Sequence, residues 1–234
     1  MLKSQIVMLK VIRYSLIGMF LLSALVFHGC EKESKLPVDG DGNVYDTVRI
    51  GTQTWLAEDL KTTKYNNGVS IPLVTDNTQW ASMSSAAFCW YENNPAYKED
   101  YGALYNWYAA KVYHLCPIGC HVPTIEEWST LINYLGGEYI AGAKLKDRER
   151  RFWLDYNDCE ANEYGFKARP GGGRSPVDGH FGGIREEGTW LSTTKSVYED
   201  WIKGISIEDD FCEIKHEILI KLNAGSSIRC IKNN

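Results

Sequence analysis

The sequence predicts an α+β domain that is exported from the cytoplasm. Residues 124–137 carry a helical apolar period with its own start and stop signals, whereas the last third of the chain alternates as strands do. The two patterns are segregated along the chain, which indicates an antiparallel sheet with helices set apart, not a doubly wound parallel sheet.

The elements follow in chain order. The run Leu16–Phe27 lacks charge, follows Lys3, Lys10 and Arg13, and stops at His28-Gly29-Cys30. A helix needs about 20 apolar residues to cross a bilayer, so this run is too short to span and reads as the apolar part of an export signal. The segment resembles a bacterial lipoprotein signal, which implies cleavage after residue 29 and acylation of Cys30, with membrane lipid as the partner of that cysteine. Without the resemblance it reads as a plain secretory signal cut near Gly29, or as an uncleaved anchor. Glu31–Gly42 is polar, contains Pro37 and two glycines, and reads as a tether. The expected organisation is a signal over residues 1–29, a lipidated cysteine and tether over 30–40, and one domain over 41–232.

Val44–Ile50 and Thr54–Leu56 flank Gly51-Thr52-Gln53 and read as a hairpin. Leu104, Trp107, Tyr108 and Val112 suggest a helix over Ala103–Val112. Thr124 with Glu127 forms a capping box, Ile125, Trp128, Leu131, Ile132 and Leu135 share one face, and Gly136-Gly137 supply a left-handed stop. Asn162–Gly188 reads as irregular, with Gly171-Gly172-Gly173-Arg174 as a turn opening a surface loop. Beyond it, alternating apolar residues from Trp201 to Cys230 give three or four antiparallel strands, with turns at Glu208-Asp209-Asp210 and Asn223-Ala224-Gly225.

The formal charge is −5 over 234 residues, with no basic block, so nucleic acid is not an expected partner. Of seven cysteines, six follow Cys30: Cys89, Cys116, Cys120, Cys159, Cys212 and Cys230. An even number in an oxidising compartment favours disulfides, with the connectivity open.

Six blocks then point to a family: DGNVYDTVRIGTQTWLAEDL (41–60), YGALYNWYAA (101–110), CPIGCHVPTIEEW (116–128), NEYGFKARPGG (162–172), WLSTT (190–194) and SIRCIK (227–232). In this order they resemble the Fibrobacter succinogenes major paralogous domain, common in secreted and lipid-anchored proteins of Bacteroidetes and Fibrobacteres. The resemblance implies a disulfide between Cys116 and Cys230. Cys120 stands where the family usually has tryptophan, which suggests an extra bridge drawn from Cys89, Cys120, Cys159 and Cys212. His-Val-Pro-Thr with a following helix, and the closing Arg-Cys, are similar at greater distance to the C-type-lectin-like and formylglycine-generating-enzyme-like fold. That similarity implies short helices on antiparallel strands, with long loops carrying the site.

Chemistry has little purchase on the sequence. Cys116-x3-Cys120-His121 is the one dense thiol and imidazole cluster, and in an exported chain it reads as disulfide halves beside a packed ring rather than as an oxidase or zinc site. Asp39-Gly40-Asp41-Gly42-Asn43 lacks the glycine and the bidentate Glu of a calcium loop and reads as a turn. Gly171–Arg174 lacks the Lys-Ser/Thr of a phosphate loop, and no Gly-x-Ser-x-Gly elbow occurs. No catalytic residue, metal or cofactor is therefore expected. Trp55, Trp107, Trp128, Trp190 and Trp201 read as core, whereas Trp80, Trp90, Tyr91 and Trp153 adjoin polar loops. The expected function is an outer-membrane, lipid-anchored binding or adhesion module, facing either the cell surface or the periplasm. It would contact glycan or protein through loops 92–101 and 170–185, with Trp90, Tyr91, Asn93, Asn94, Arg174, Asp178 and His180 as candidate contacts. Alternatives are a structural subunit of a surface assembly and, last, a formylglycine-generating-type oxidase.

Overall fold

Alternation along the chain becomes three sheets. A computed structural model describes residues 35–154 and 163–233. The export signal, Cys30 and Cys159 lie outside the described residues. The first sheet joins β1 (Thr47–Ile50), β2 (Gln53–Leu56), β11 (Ile231–Lys232) and β5 (Cys120–His121) in the order β1-β2-β11-β5. The second has the order β10-β9-β8-β6-β7 and consists of β6 (Gly171–Arg174), β7 (Phe181–Ile184), β8 (Glu187–Lys195), β9 (Trp201–Glu208) and β10 (Ile214–Lys221). β3 (Phe88–Cys89) and β4 (Leu104–Tyr105) make a small third pair. Pairings between these strands are antiparallel except that of β6 with β8, which is parallel at Gly172 and Gly188.

Among the described residues five short α-helices accompany them: α1 (Asn77–Ala81), α2 (Lys98–Tyr101), α3 (Trp107–Ala110), α4 (Ile125–Tyr134) and α5 (Glu138–Leu145). Among the described residues no helix is long and apolar enough to cross a membrane. α4 starts at the expected capping box: Thr124 accepts from the Glu127 amide, and the Glu127 carboxylate accepts from the Thr124 amide. Its apolar face buries Ile125, Trp128, Leu131 and Ile132. The hairpin β1–β2 also forms as expected, with Gly51 at φ +59° in its turn.

Several expectations need correction. The helix expected over 103–112 is only α3, because Leu104 and Tyr105 pair with Cys89 and Phe88 and the Asn106 side chain caps a new start by accepting from the Ala109 amide. The tether ends sooner than expected, and the compact unit begins at Leu36. Asp39 is 6 % exposed and accepts from the Asp41 and Asn43 amides and from the Tyr45 hydroxyl. That is an Asx-type turn whose carboxylate is occupied by protein donors. The glycine-rich stretch is not irregular, since it holds the hairpin β6–β7 and the start of β8.

Aromatic packing fixes the core. One cluster centres on Trp55, Trp128, Phe166, Trp190 and Ile205, with the Trp55 and Trp128 rings 4.6 Å apart. A second, between the sheets, gathers Tyr45, Leu56, Tyr105, Trp107, Leu191, Ile202 and Cys230. Trp80, Trp90, Tyr91 and Trp153 are all buried, whereas Trp201, expected in the core, is only partly covered. At the centre, fully buried Arg229 donates to Asp59 at 2.7 Å, and Asp59 also accepts from the Trp190 indole at 2.8 Å.

Candidate functional site

A large surface groove of the domain is built on the hairpin β6–β7. Arg174, at the end of β6, is 2 % exposed and sits 4.6 Å from both the Trp80 and the Phe181 rings. Its guanidinium donates to the carbonyls of Val74, Thr75 and Gly179 and to the Asn77 side chain. This pins the loop 175–180 to the segment before α1. Asn223 holds the same loop from the far side by donating to the carbonyls of Pro176 and Ala81. A loop fixed at both flanks presents its side chains without the ordering cost of a free one.

Below that loop runs an open groove of about 560 Å³. Its walls include Asp178 and His180 from the loop, Phe181 from β7, Glu187 and Thr189 from β8, Trp201 from β9, and Lys221 from β10. Glu187 and Thr189 lie two residues apart on one strand and so share a face, and the Thr189 hydroxyl donates to Glu187 at 3.1 Å. The Lys221 ammonium lies 5.5 Å from the Trp201 ring centroid. Gly172, Gly173, Gly182, Gly183 and Gly225 also line it, as do the apolar Val177, Leu219, Ile220 and Ala224. A second depression of about 400 Å³, which shares Gly183 and Glu187 with the lining of the groove, is walled by Leu154, Glu186, Glu208, Asp209 and Asp210. Lys146 donates to the carbonyls of Asp209 and Phe211 and so braces that wall, while burial pushes its ammonium down to about 8.

The expected contact residues divide. Asp178 and His180 line the groove, and the Asp178 carboxyl is held below its usual range by the Ser175 hydroxyl and the His180 amide. Asn93 and Asn94 do not line it: Asn93 donates to the Thr75 carbonyl, and the Asn94 side chain accepts from the Ala96 amide. Arg174 also lines the groove, although it is 2 % exposed, whereas Trp90 and Tyr91, 8 % and 6 % exposed, do not. Aromatic neighbours cover Trp90 and Tyr91, which are core, while Arg174 both lines the groove and anchors its loop.

The thiol and imidazole cluster does not assemble a reactive thiol. Cys116 is bonded to Cys230, as the family resemblance implied. Cys120 is a buried free thiol pushed up to about 11 by burial, which corrects the expectation of an extra bridge there. Cys89 is likewise free and buried, and is pushed up to about 12. Cys212 is disulfide-bonded. His121 faces the other way from Cys120, with Nε2 2.9 Å from Glu127 and Nδ1 2.6 Å from the Asn233 side-chain oxygen. Among the described residues, no three His, Cys, Asp or Glu side chains are arranged to hold a metal ion.

The model of the Fibrobacter succinogenes major domain family matches residues 48–232, from β1 to β11. The chain belongs to that family. Neither curated proteins nor solved structures gave a match. The whole groove lies inside the Fibrobacter succinogenes major domain, as do the Cys116–Cys230 bridge and the Asp59–Arg229 pair.

Sequence reasoning missed Trp201, Thr189, Glu187 and the lining glycines. A signal was there. Trp201 follows Glu199-Asp200 and precedes the buried Ile202, so alternation puts it on the opposite face from its core neighbour.

Proposed function

We propose that this chain is a lipid-anchored, non-enzymatic binding or adhesion module of the outer membrane, and that the groove under the loop 175–180 is its contact surface for glycan or protein. The observation that carries the reading is the braced loop over a large open groove that mixes aromatic, hydroxyl, carboxylate and ammonium groups. Binding sites gather such groups on loops set upon a rigid scaffold. The buried thiols and the bonded Cys116 speak against thiol oxidation as the activity. Short helices against antiparallel strands, with the groove at a hairpin loop, support the C-type-lectin-like and formylglycine-generating-enzyme-like reading of the fold. The anchor rests on the charged front, the short apolar run and Cys30.

Two measurements test this. Metabolic labelling with a palmitate analogue should mark the wild-type chain and not Cys30→Ser, and protease shaving of intact cells should release the domain if it faces outward. Arrays of glycans and surface proteins, probed with wild type and with the double variant Asp178→Ala/His180→Ala, should give a ligand whose binding falls at least tenfold in the variant. Equal binding by both would remove the groove from the account.

A further inference from the structure

The compact unit begins at Leu36, and large apolar side chains stand exposed at its start. Leu36, Val38 and Val44 are 45 %, 46 % and 56 % exposed. Pro37, Asp39 and Tyr45, each next to one of them in the chain, are buried. Extended backbone sends successive side chains to opposite sides, so the buried set faces inward and the apolar set outward. Val38 and Val44 are partners across an antiparallel bridge. The bonds beside it run from the Tyr45 amide to the Pro37 carbonyl and from the Asp39 amide to the Asn43 carbonyl, which makes this the close, non-hydrogen-bonded kind of pair. Their side chains therefore stand together on the outer surface.

The hairpin itself does not require them. Its turn is fixed by the Asp39 carboxylate, and its backbone packs so closely on the segment 64–65 that a Cβ added at Gly40 would collide with the Tyr65 carbonyl. Threonine has the shape of valine and a similar preference for strands, so an outward Thr-Thr pair would serve the fold as well. The neighbouring charges balance: Lys35 and Asp46 are exposed, and Lys64 is 3.3 Å from Asp41. Such a face suits an apolar partner, not a charged one. Five residues separate Cys30 from Leu36, and a chain of that length spans at most about 20 Å when fully extended. A short tether holds the local concentration of its two ends at roughly millimolar, so contacts too weak to hold a free domain suffice for a tethered one.

Resting on the lipid-anchor reading above, we infer that Leu36, Val38 and Val44 form a docking face for the bilayer that holds the acyl group of Cys30. The test uses the full-length acylated chain in phosphatidylcholine vesicles, with a polarity-sensitive dye on Val44→Cys, on Leu36→Cys or, as a comparison in the groove loop, on Val177→Cys. Brominated phosphatidylcholine should quench the dye at least twofold at residues 36 and 44 and leave it unchanged at residue 177. Adding the isosteric pair Val38→Thr/Val44→Thr to Leu36→Cys should lower the quenching at least twofold, with the melting temperature near that of Leu36→Cys alone. Leu36→Cys lies outside the bridge and is the second reporter should Val44→Cys fold poorly. An acylated chain with no quenching at either site, equal quenching at residue 177, or quenching indifferent to the threonine pair would overturn the docking face and leave the anchor standing. Mass analysis that finds no acyl group on Cys30 would overturn the anchor reading, and the inference with it.

Discussion

His121 shows how much one side chain's position decides. Both ring nitrogens face acceptors, Glu127 and the Asn233 amide oxygen, so the doubly protonated ring satisfies both at once. The bond to Glu127 raises the His121 pKa from 6.5, and although burial pushes Glu127 up, the bonds from His121 and the Thr124 amide hold it below 4.5. A raised imidazole stabilises the fold below its unfolded value and stops doing so as pH climbs through the folded value, while a depressed carboxylate does the reverse on the acid side. The stability difference between wild type and His121→Ala should therefore peak between roughly pH 4.5 and 6.5 and shrink toward pH 9. Urea midpoints across that range check this, and a difference growing with pH would refute it. The Asp59–Arg229 pair is a stronger case, since Asp59→Ala strands a buried guanidinium and should cost about 3–5 kcal/mol in chemical denaturation. The buried thiols give a third outcome. In folded protein Cys89 and Cys120 should resist iodoacetamide, and in denaturant without reductant both should react, as peptide mass mapping would show.

Among the elements, α4 and the hairpin β1–β2 were legible because their information is local: a capping box, a helical stripe, a glycine at positive φ. Thr124→Ala should cost about 1 kcal/mol, read from the shift in melting temperature, because it removes an acceptor for a helix-start amide. The hairpin β6–β7 was not legible, because a run of glycines looks like a turn unless its partners are known. Gly172 is glycine for the sake of Gly182 and Ile184 across the hairpin, and the loop is fixed by Arg174 reaching Val74, a hundred positions away in the chain. Aromatic residues beside polar sequence were misjudged for the same reason. Trp90 and Tyr91 are covered by Phe88, Tyr97 and Phe181, and those contacts exist only once the small sheet and the hairpin have met. Of the residues that line the groove, the exposed positions of Asp178 and His180 were legible because a loop residue's exposure follows from its polar neighbours, whereas Trp201 needed the strand's facing to be known.

For the molecule as a whole, the six ordered blocks gave the family and its disulfide, and the sheet order lay beyond local pattern. The Cys116–Cys230 bridge joins positions 114 apart, and by the chain-entropy argument its closure contributes about 5 kcal/mol. The double variant Cys116→Ser/Cys230→Ser should lose much of that in guanidinium unfolding. It should also loosen β11, which pairs with both β2 and β5. β1 and β2 open the domain and β11 closes it, all within a single sheet. The polypeptide thus enters and leaves by adjacent doors, so the domain can be spliced into a host protein as a cassette or strung in tandem without long connectors. A circular permutant, with residues 36 and 233 joined by a short glycine-serine peptide and new ends opened at the exposed turn near Val197, should retain its native near-ultraviolet spectrum.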